Sequence, residues 1–228
     1  MNQFFDPKMF AALSIHLKNC KTTIQPEKLS TDETYRSAPI KTYFCPEFYK
    51  FTNKLIPNKF PSLDGDHPRL LIPFRDEEGE VFAYQGRAFG NEQPKYLTIK
   101  LQERDKIFGL DKVDKRKEVL VVEGPLDSLF LDNCIAVAGA DVPYLYCDFT
   151  VVFDNEPRNK ELLKQVEKAI NRGHKICLWP EGMEYKDIND MILGGYTKEE
   201  IQDLIKHNTY QGTTATLWFT KWRKINAQ

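Results

Sequence analysis

VLVVEGPLD, residues 119–127, opens with four apolar residues that stop at Glu123, after which Gly124 and Pro125 break the strand and reopen the chain as a helix. A carboxylate thus ends a buried strand, a place where an acid has little structural excuse. The pattern recurs at residues 149–156, FTVVFDNE, where the apolar run ends at Asp154, Glu156 follows two residues on, and Pro157 opens the next helix. Around these runs the chain alternates short strands (Val119–Val122, Ile135–Ala138, Thr150–Phe153, Lys175–Trp179) with helical periodicity. One helix follows Pro125 with Leu126, Leu129 and Phe130 on a face; another is expected from Pro157 to Arg172, with Leu162, Leu163, Val166 and Ile170 on a face and Gly173 as its stop. Such alternation predicts an α/β fold with a parallel sheet and right-handed crossovers. In an open parallel sheet the strand ends line one crevice, so Glu123, Asp154 and Glu156 are expected to converge, as a hard divalent cation requires. Asp127, in the first turn after Pro125, faces either that crevice or simply the helix macrodipole. A third cluster, KDIND at 186–190, follows the turn PEGMEY and adds Asp187 and Asp190.

Upstream, RLLIPFRDEEGEVFAYQGRAFG at 69–90 reads as a β-hairpin, Leu70–Phe74 and Val81–Arg87 around a turn at Asp76–Gly79. It is expected to project Arg75 and Arg87 from adjacent strands. Lys95, Lys100, Arg104 and Lys106 follow, and together these bases make a plausible cradle for triphosphate or template backbone. Residues 44–63 mix aromatic residues with Lys50, Lys54 and Lys59 and read as a packed helix and turn with a solvated basic face, ahead of the alternative of a nucleic-acid-facing element. Within residues 1–42, read as an N-terminal arm or linker, FFDPKMFAALSIHLKNC has the pattern of one amphipathic helix. The expected organisation is this arm, an α+β subdomain over 43–117, the α/β domain over 118–195, and a C-terminal helix (from the cap Thr197) and closing strand (ATLWF) over 196–228.

Composition narrows the function classes. Residues 1–118 carry 20 Lys+Arg against 17 Asp+Glu, whereas residues 119–228 carry 12 against 16, so the acidic half is the one with the carboxylate clusters. With a net charge of −1, bulk attraction to nucleic acid is absent, and phosphate binding must rest on local bases and on metal. The five cysteines are scattered and never spaced as CxxC, which argues against a disulfide framework and a zinc site. No apolar stretch approaches the roughly 20 residues that span a bilayer, and the N-terminus lacks a signal-peptide pattern, so a soluble, cytoplasmic protein with no membrane partner is expected.

VVEGPLD, VVFDNEPRN and KDINDMI resemble the three motifs of the TOPRIM domain, shared by bacterial-type primases, type IA and II topoisomerases and some nucleases. IPFRDEEGEVFAYQGRAFGNEQPKYL followed by IFGL resembles the element that precedes TOPRIM in the bacterial-type primase catalytic core. EGPLDSLFL, DNEPRN, KDINDMI and the tail YQGTTATLWFTKWRK look closer still to primases of T-even-type bacteriophages. The likeness covers about residues 65–225 with its motifs in order. It implies a TOPRIM domain preceded by a smaller α+β primase subdomain, with Glu123, Asp154 and Glu156 as the principal catalytic and metal-binding acids and Asp127 and Asp187 in support. It also implies that Arg87 and Lys95 lie near template and incoming nucleotide.

Three departures from the family pattern stand out: the usual Asp-x-Asp is Asp154-Asn155-Glu156, Asn189 replaces an acid with Asp190 adjacent, and no Cys/His quartet for the family's zinc-binding domain precedes Cys45. The resemblance implies template-directed joining of ribonucleotides on single-stranded DNA with Mg²⁺ (or Mn²⁺), no zinc in this chain, ribonucleoside triphosphates as substrates and a replicative helicase as partner. The alternatives are another TOPRIM enzyme such as a nuclease, or a truncated, non-catalytic primase fragment that docks on helicase or single-stranded DNA.

Overall fold

The computed structural model describes residues 23, 25–29, 42–139, 142 and 145–223. The expected helix within residues 4–20 lies outside them. The chain divides into two compact units at Lys106/Ile107, ahead of the 117/118 border expected from sequence. Residues 107 and 108 join the second unit because Phe108 exchanges backbone hydrogen bonds with Ala136, 2.8 and 3.0 Å long.

The first unit is an antiparallel sheet in the order β1 (Tyr43–Cys45), β2 (Arg69–Arg75), β3 (Val81–Ala88), β4 (Tyr96–Lys100), with helix α1 (Phe48–Leu55) packed on it. α1 places Phe48 and Phe51 edge-on against Tyr84, and the Tyr84 hydroxyl donates to Thr52 Oγ1 at 3.0 Å. Gly86 is required beneath this helix, since a Cβ there would collide with the Phe48 ring. Lys50, Lys54 and Lys59 are exposed.

The second unit is a five-stranded sheet ordered β6-β5-β7-β8-β9, formed by β5 (Val119–Val122), β6 (Cys134–Ala136), β7 (Phe149–Val152), β8 (Lys175–Cys177) and β9 (Thr209–Tyr210). The first four run parallel and β9 closes one edge antiparallel. Helices α2 (Pro125–Ser128), α3 (Lys160–Asn171), α4 (Ile188–Leu193), α5 (Lys198–His207) and α6 (Gly212–Trp222) complete it. Val151, Phe153, Ile176 and Leu178 alternate onto the sheet face that packs against Leu162, Leu163, Val166 and Ile170 of α3 and Ala215 and Phe219 of α6. Fully burying such aliphatic side chains contributes about 1.5–3 kcal/mol each.

Two expectations change. The helix expected from Pro157 begins at Lys160, because the Asn159 side chain accepts hydrogen bonds from the Glu161 and Leu162 backbone amides and so caps it. The closing strand expected at ATLWF is helix α6: Ala215, Phe219 and Trp222 recur at helical spacing against the core, and the edge of the sheet is taken by Thr209–Tyr210. The capping box expected around Thr197 is present, with Thr197 and Glu200 bonded reciprocally. Cys45, Cys134, Cys147 and Cys177 are free thiols.

Candidate functional site

The register Val122↔Val152↔Cys177 aligns the carboxyl ends of β5, β7 and β8. Glu123 leaves β5, Asp154 follows β7 after Phe153, and the segment after β8 returns through residues 179–187 to the same end of the sheet. α2 follows at once through Gly124, whose lack of a side chain is needed: a Cβ there would meet the Asp127 carboxylate. Asp127 Oδ1 in turn accepts the Asn189 backbone N–H at 3.0 Å, which ties the first acidic motif to the third. Asp187 caps α4 by accepting the Asp190 N–H at 2.8 Å. At the position where the family pattern has an acid, Asn189 therefore serves through its backbone.

Electrostatics bear on the expected convergence. Burial, then repulsion from Asp127, Glu123 and Asp187, pushes the Asp154 carboxyl up to about 8 against the opposing pull of Lys186. Burial and the Asp187 charge push Asp127 up to about 7, although the Asn189 N–H favours its ionised form. Glu123 is raised by partial burial and by Glu156, while Lys186 lowers it. Like charges gathered in a partly desolvated crevice want a cation, and carboxylate oxygens suit a hard divalent ion. Among the described residues no three His, Cys, Asp or Glu side chains stand ready-closed around an ion. The donor chemistry, carboxylate oxygens, fits a hard divalent cation.

Three residues of this site carry roles that sequence reasoning left unassigned. The Lys186 ammonium lies 3.5 Å from Glu156 Oε1; burial opposes its charge, but Glu156, Asp154 and Asp187 outweigh burial and raise its affinity for the proton. Asn155, the odd middle of the Asp-Asn-Glu triplet, donates its side-chain amide to Met183 O (2.9 Å) and Tyr185 O (3.0 Å), and its backbone N–H reaches Lys186 O (2.6 Å). Gly124 is the third. The KDIND segment hinted at Lys186; no local pattern gave the Asn155 partners.

The basic residues expected as a cradle belong to the first unit and differ among themselves. Arg75 does not project: it is buried, donating to Gly79 O at 2.8 Å and Leu29 O at 3.0 Å. Arg87 is also buried, with its guanidinium 2.6 Å from the Tyr96 hydroxyl and lying over that ring. Lys95 is exposed and Lys106 partly so. Arg69, fully buried, was overlooked; its Nη1 donates to Gly86 O and Pro94 O at 3.0 Å, fixing the loop that presents Lys95.

No family model matches the sequence. The DNA primase of Enterobacteria phage T4 is 36% identical over 191 residues, covering 80% of this chain and 55% of that protein. The DNA primase of Staphylococcus epidermidis is 25% identical over 186 residues, covering 66% of this chain and 31% of its own length. This chain thus spans about half the length of the phage relative, at 55%, and less of the staphylococcal one. Among solved structures, the DnaG primase catalytic domain bound to single-stranded DNA superposes with a TM-score of 0.60 at 15% identity, over 92% of this chain and 84% of that one. The chain is thus similar in sequence to DNA primases of a phage and a bacterium and carries the fold of the DnaG catalytic domain.

Proposed function

We propose that this chain synthesises short RNA primers on a single-stranded DNA template, joining ribonucleoside triphosphates by divalent-metal-dependent nucleotidyl transfer. The observation that carries the reading is the gathering of Glu123, Asp127, Asp154 and Asp187 at the carboxyl edge of the parallel sheet, where Asp127, Glu123 and Asp187 all raise the proton affinity of Asp154. The phage T4 relative is named a DNA primase, and the superposing DnaG domain is described as bound to single-stranded DNA, which supports the same choice of template.

Glu123, Asp154 and Glu156, with Asp127 and Asp187, would hold Mg²⁺ or Mn²⁺. A metal held there would supply Lewis acidity toward a 3′-hydroxyl and positive charge for the triphosphate. The protein's share is largely positioning. Asn155 pins the 183–186 turn so that the second and third motifs keep one geometry. Lys186 sits beside Glu156, where an ammonium can pass from carboxylate to phosphate oxygen. Lys95, with the partly exposed Lys106, is suited to template or triphosphate; Arg87 is held against Tyr96, and Arg75 holds the hairpin turn. The same reading assigns a replicative helicase as working partner and, for a phage-encoded chain, the host cytoplasm as the place of action.

The test is primer synthesis by Glu123→Gln. With labelled ribonucleotides, Mg²⁺ and single-stranded DNA, wild type is expected to yield labelled oligoribonucleotides and the variant none, with unchanged circular dichroism. Full activity in the variant, or shortened DNA as the only product of wild type, overturns the assignment.

A further inference from the structure

All three tryptophans of the chain, Trp179, Trp218 and Trp222, line one cavity of about 220 Å³ in the second unit. Tyr210 forms another aromatic wall, stacked on Trp218 with ring centroids 5.2 Å apart and planes 21° from parallel. Trp179 is buried and anchored, its indole N–H donating to Phe153 O at 2.7 Å, whereas Trp218 is 41% exposed at the mouth. The cavity shares a wall with the carboxylate crevice: Asn155 and Pro157 line it, and Asn155 is the residue between Asp154 and Glu156. Glu181 and Glu184 line it as well, with Lys221, whose ammonium lies 4.7 Å over the Trp218 ring.

We infer that this cavity binds a nucleobase, resting on the proposed function and extending that site on its far side from β5. The volume is below the 300–1,000 Å³ typical of drug-sized ligands and suits one planar ring system. Indole and phenol faces are the sequence-tolerant platform on which bases stack. Two carboxylates at the rim disfavour a phosphate inside the cavity but accept hydrogen bonds from the amino groups of guanine, cytosine or adenine. A base entering against Trp218 replaces the Lys221 ammonium on that ring and leaves the cation free for the ligand's own phosphate. The base belongs either to a ribonucleotide whose phosphates reach the carboxylate crevice or to the DNA template.

Because every tryptophan is here, fluorescence excited selectively at tryptophan under native conditions reports on this cavity. The whole chain is titrated in EDTA with guanosine 5′-monophosphate, with a deoxytrinucleotide, and with inorganic pyrophosphate. Saturable quenching by the mononucleotide assigns the cavity to an incoming nucleotide, and quenching by the trinucleotide alone assigns it to a template base; both support the inference. Trp218→Ala is expected to weaken that binding about tenfold, and Trp218→Phe, which keeps an aromatic face, to retain most of it. Equal quenching by pyrophosphate, a signal that changes with protein concentration before any ligand is added (a second copy in the groove), or no response to either nucleic-acid ligand overturns it. No metal or chemistry is involved, so a failed titration leaves primer synthesis standing, and a failed Glu123→Gln experiment leaves the titration interpretable.

Discussion

Asp154→Asn is expected to make the second unit more stable at alkaline pH while removing its response to Mg²⁺. In the fold this carboxyl titrates at about 8 rather than 3.8, because it is buried and faces Asp127, Glu123 and Asp187. Between those values the unfolded chain has released the proton and the folded chain retains it, so stability falls as pH rises through the window and levels off above it. At about 1.4 kcal/mol for each tenfold change in proton affinity, the full difference corresponds to about 6 kcal/mol. Solvent reaching the open side of the crevice screens part of this, and about 2 kcal/mol is expected to appear in measurement. Asn keeps the shape and carries no charge at any of these pH values. The assay is urea unfolding followed by tryptophan fluorescence, in EDTA and in saturating Mg²⁺, from about pH 5 to about pH 9. In EDTA the wild type should lose stability across the range, and the variant roughly half as much, since Asp127 still titrates at about 7. Saturating Mg²⁺ should restore the wild type at the alkaline end and do little for the variant. A wild-type profile that is flat or rises with pH, or a variant as steep as wild type, refutes the reasoning.

Gly124→Ala places a methyl against the Asp127 carboxylate, so primer synthesis should fall at least about tenfold with the circular dichroism spectrum unchanged. Asn155→Asp removes two amide donors from the Met183 and Tyr185 carbonyls and adds an anion to an already repelling cluster; a loss of about 1–3 kcal/mol is expected, largest at high pH and read by the same unfolding assay. Arg75→Ala leaves the Gly79 and Leu29 carbonyls without their charged donor, and the expected result is about 3 kcal/mol lost in thermal unfolding with the KM for ribonucleotides unmoved. A raised KM with intact stability would instead return Arg75 to the phosphate cradle.

The α/β core was legible because parallel strands are buried on both faces and must be written as unbroken apolar runs, so an acid ending such a run marks both the strand end and the crevice. The primase fold followed from the order of its motifs and is matched by the DnaG catalytic domain. The tail misled because ATLWF is a continuous apolar stretch, and five residues are too few to separate a period of 2.0 from one of 3.6; Trp222 supplies the missing turn. The hairpin arginines misled for a different reason: a charge in a sequence has no direction. A register shift between Phe74 and Arg75 turns Arg75 back onto the Gly79 carbonyl, and Tyr96, directly opposite Arg87 across the β3–β4 pair, covers that guanidinium. The bonds of Asn155 to residues 183–186 depend on chain segments about thirty residues away and leave no local trace.

Those bonds bear on how the site can drift. Because the Asn155 amide holds two carbonyls of a separate turn, positions 155 and 183–186 are not free to vary independently. A related protein with a non-donating residue between its two acids must satisfy those carbonyls by another route, through a tighter turn, a shorter one, or a donor of its own. Covariation between the middle of the second motif and the turn before the third is therefore the evolutionary signature this clasp should leave, even where the acids on either side never change.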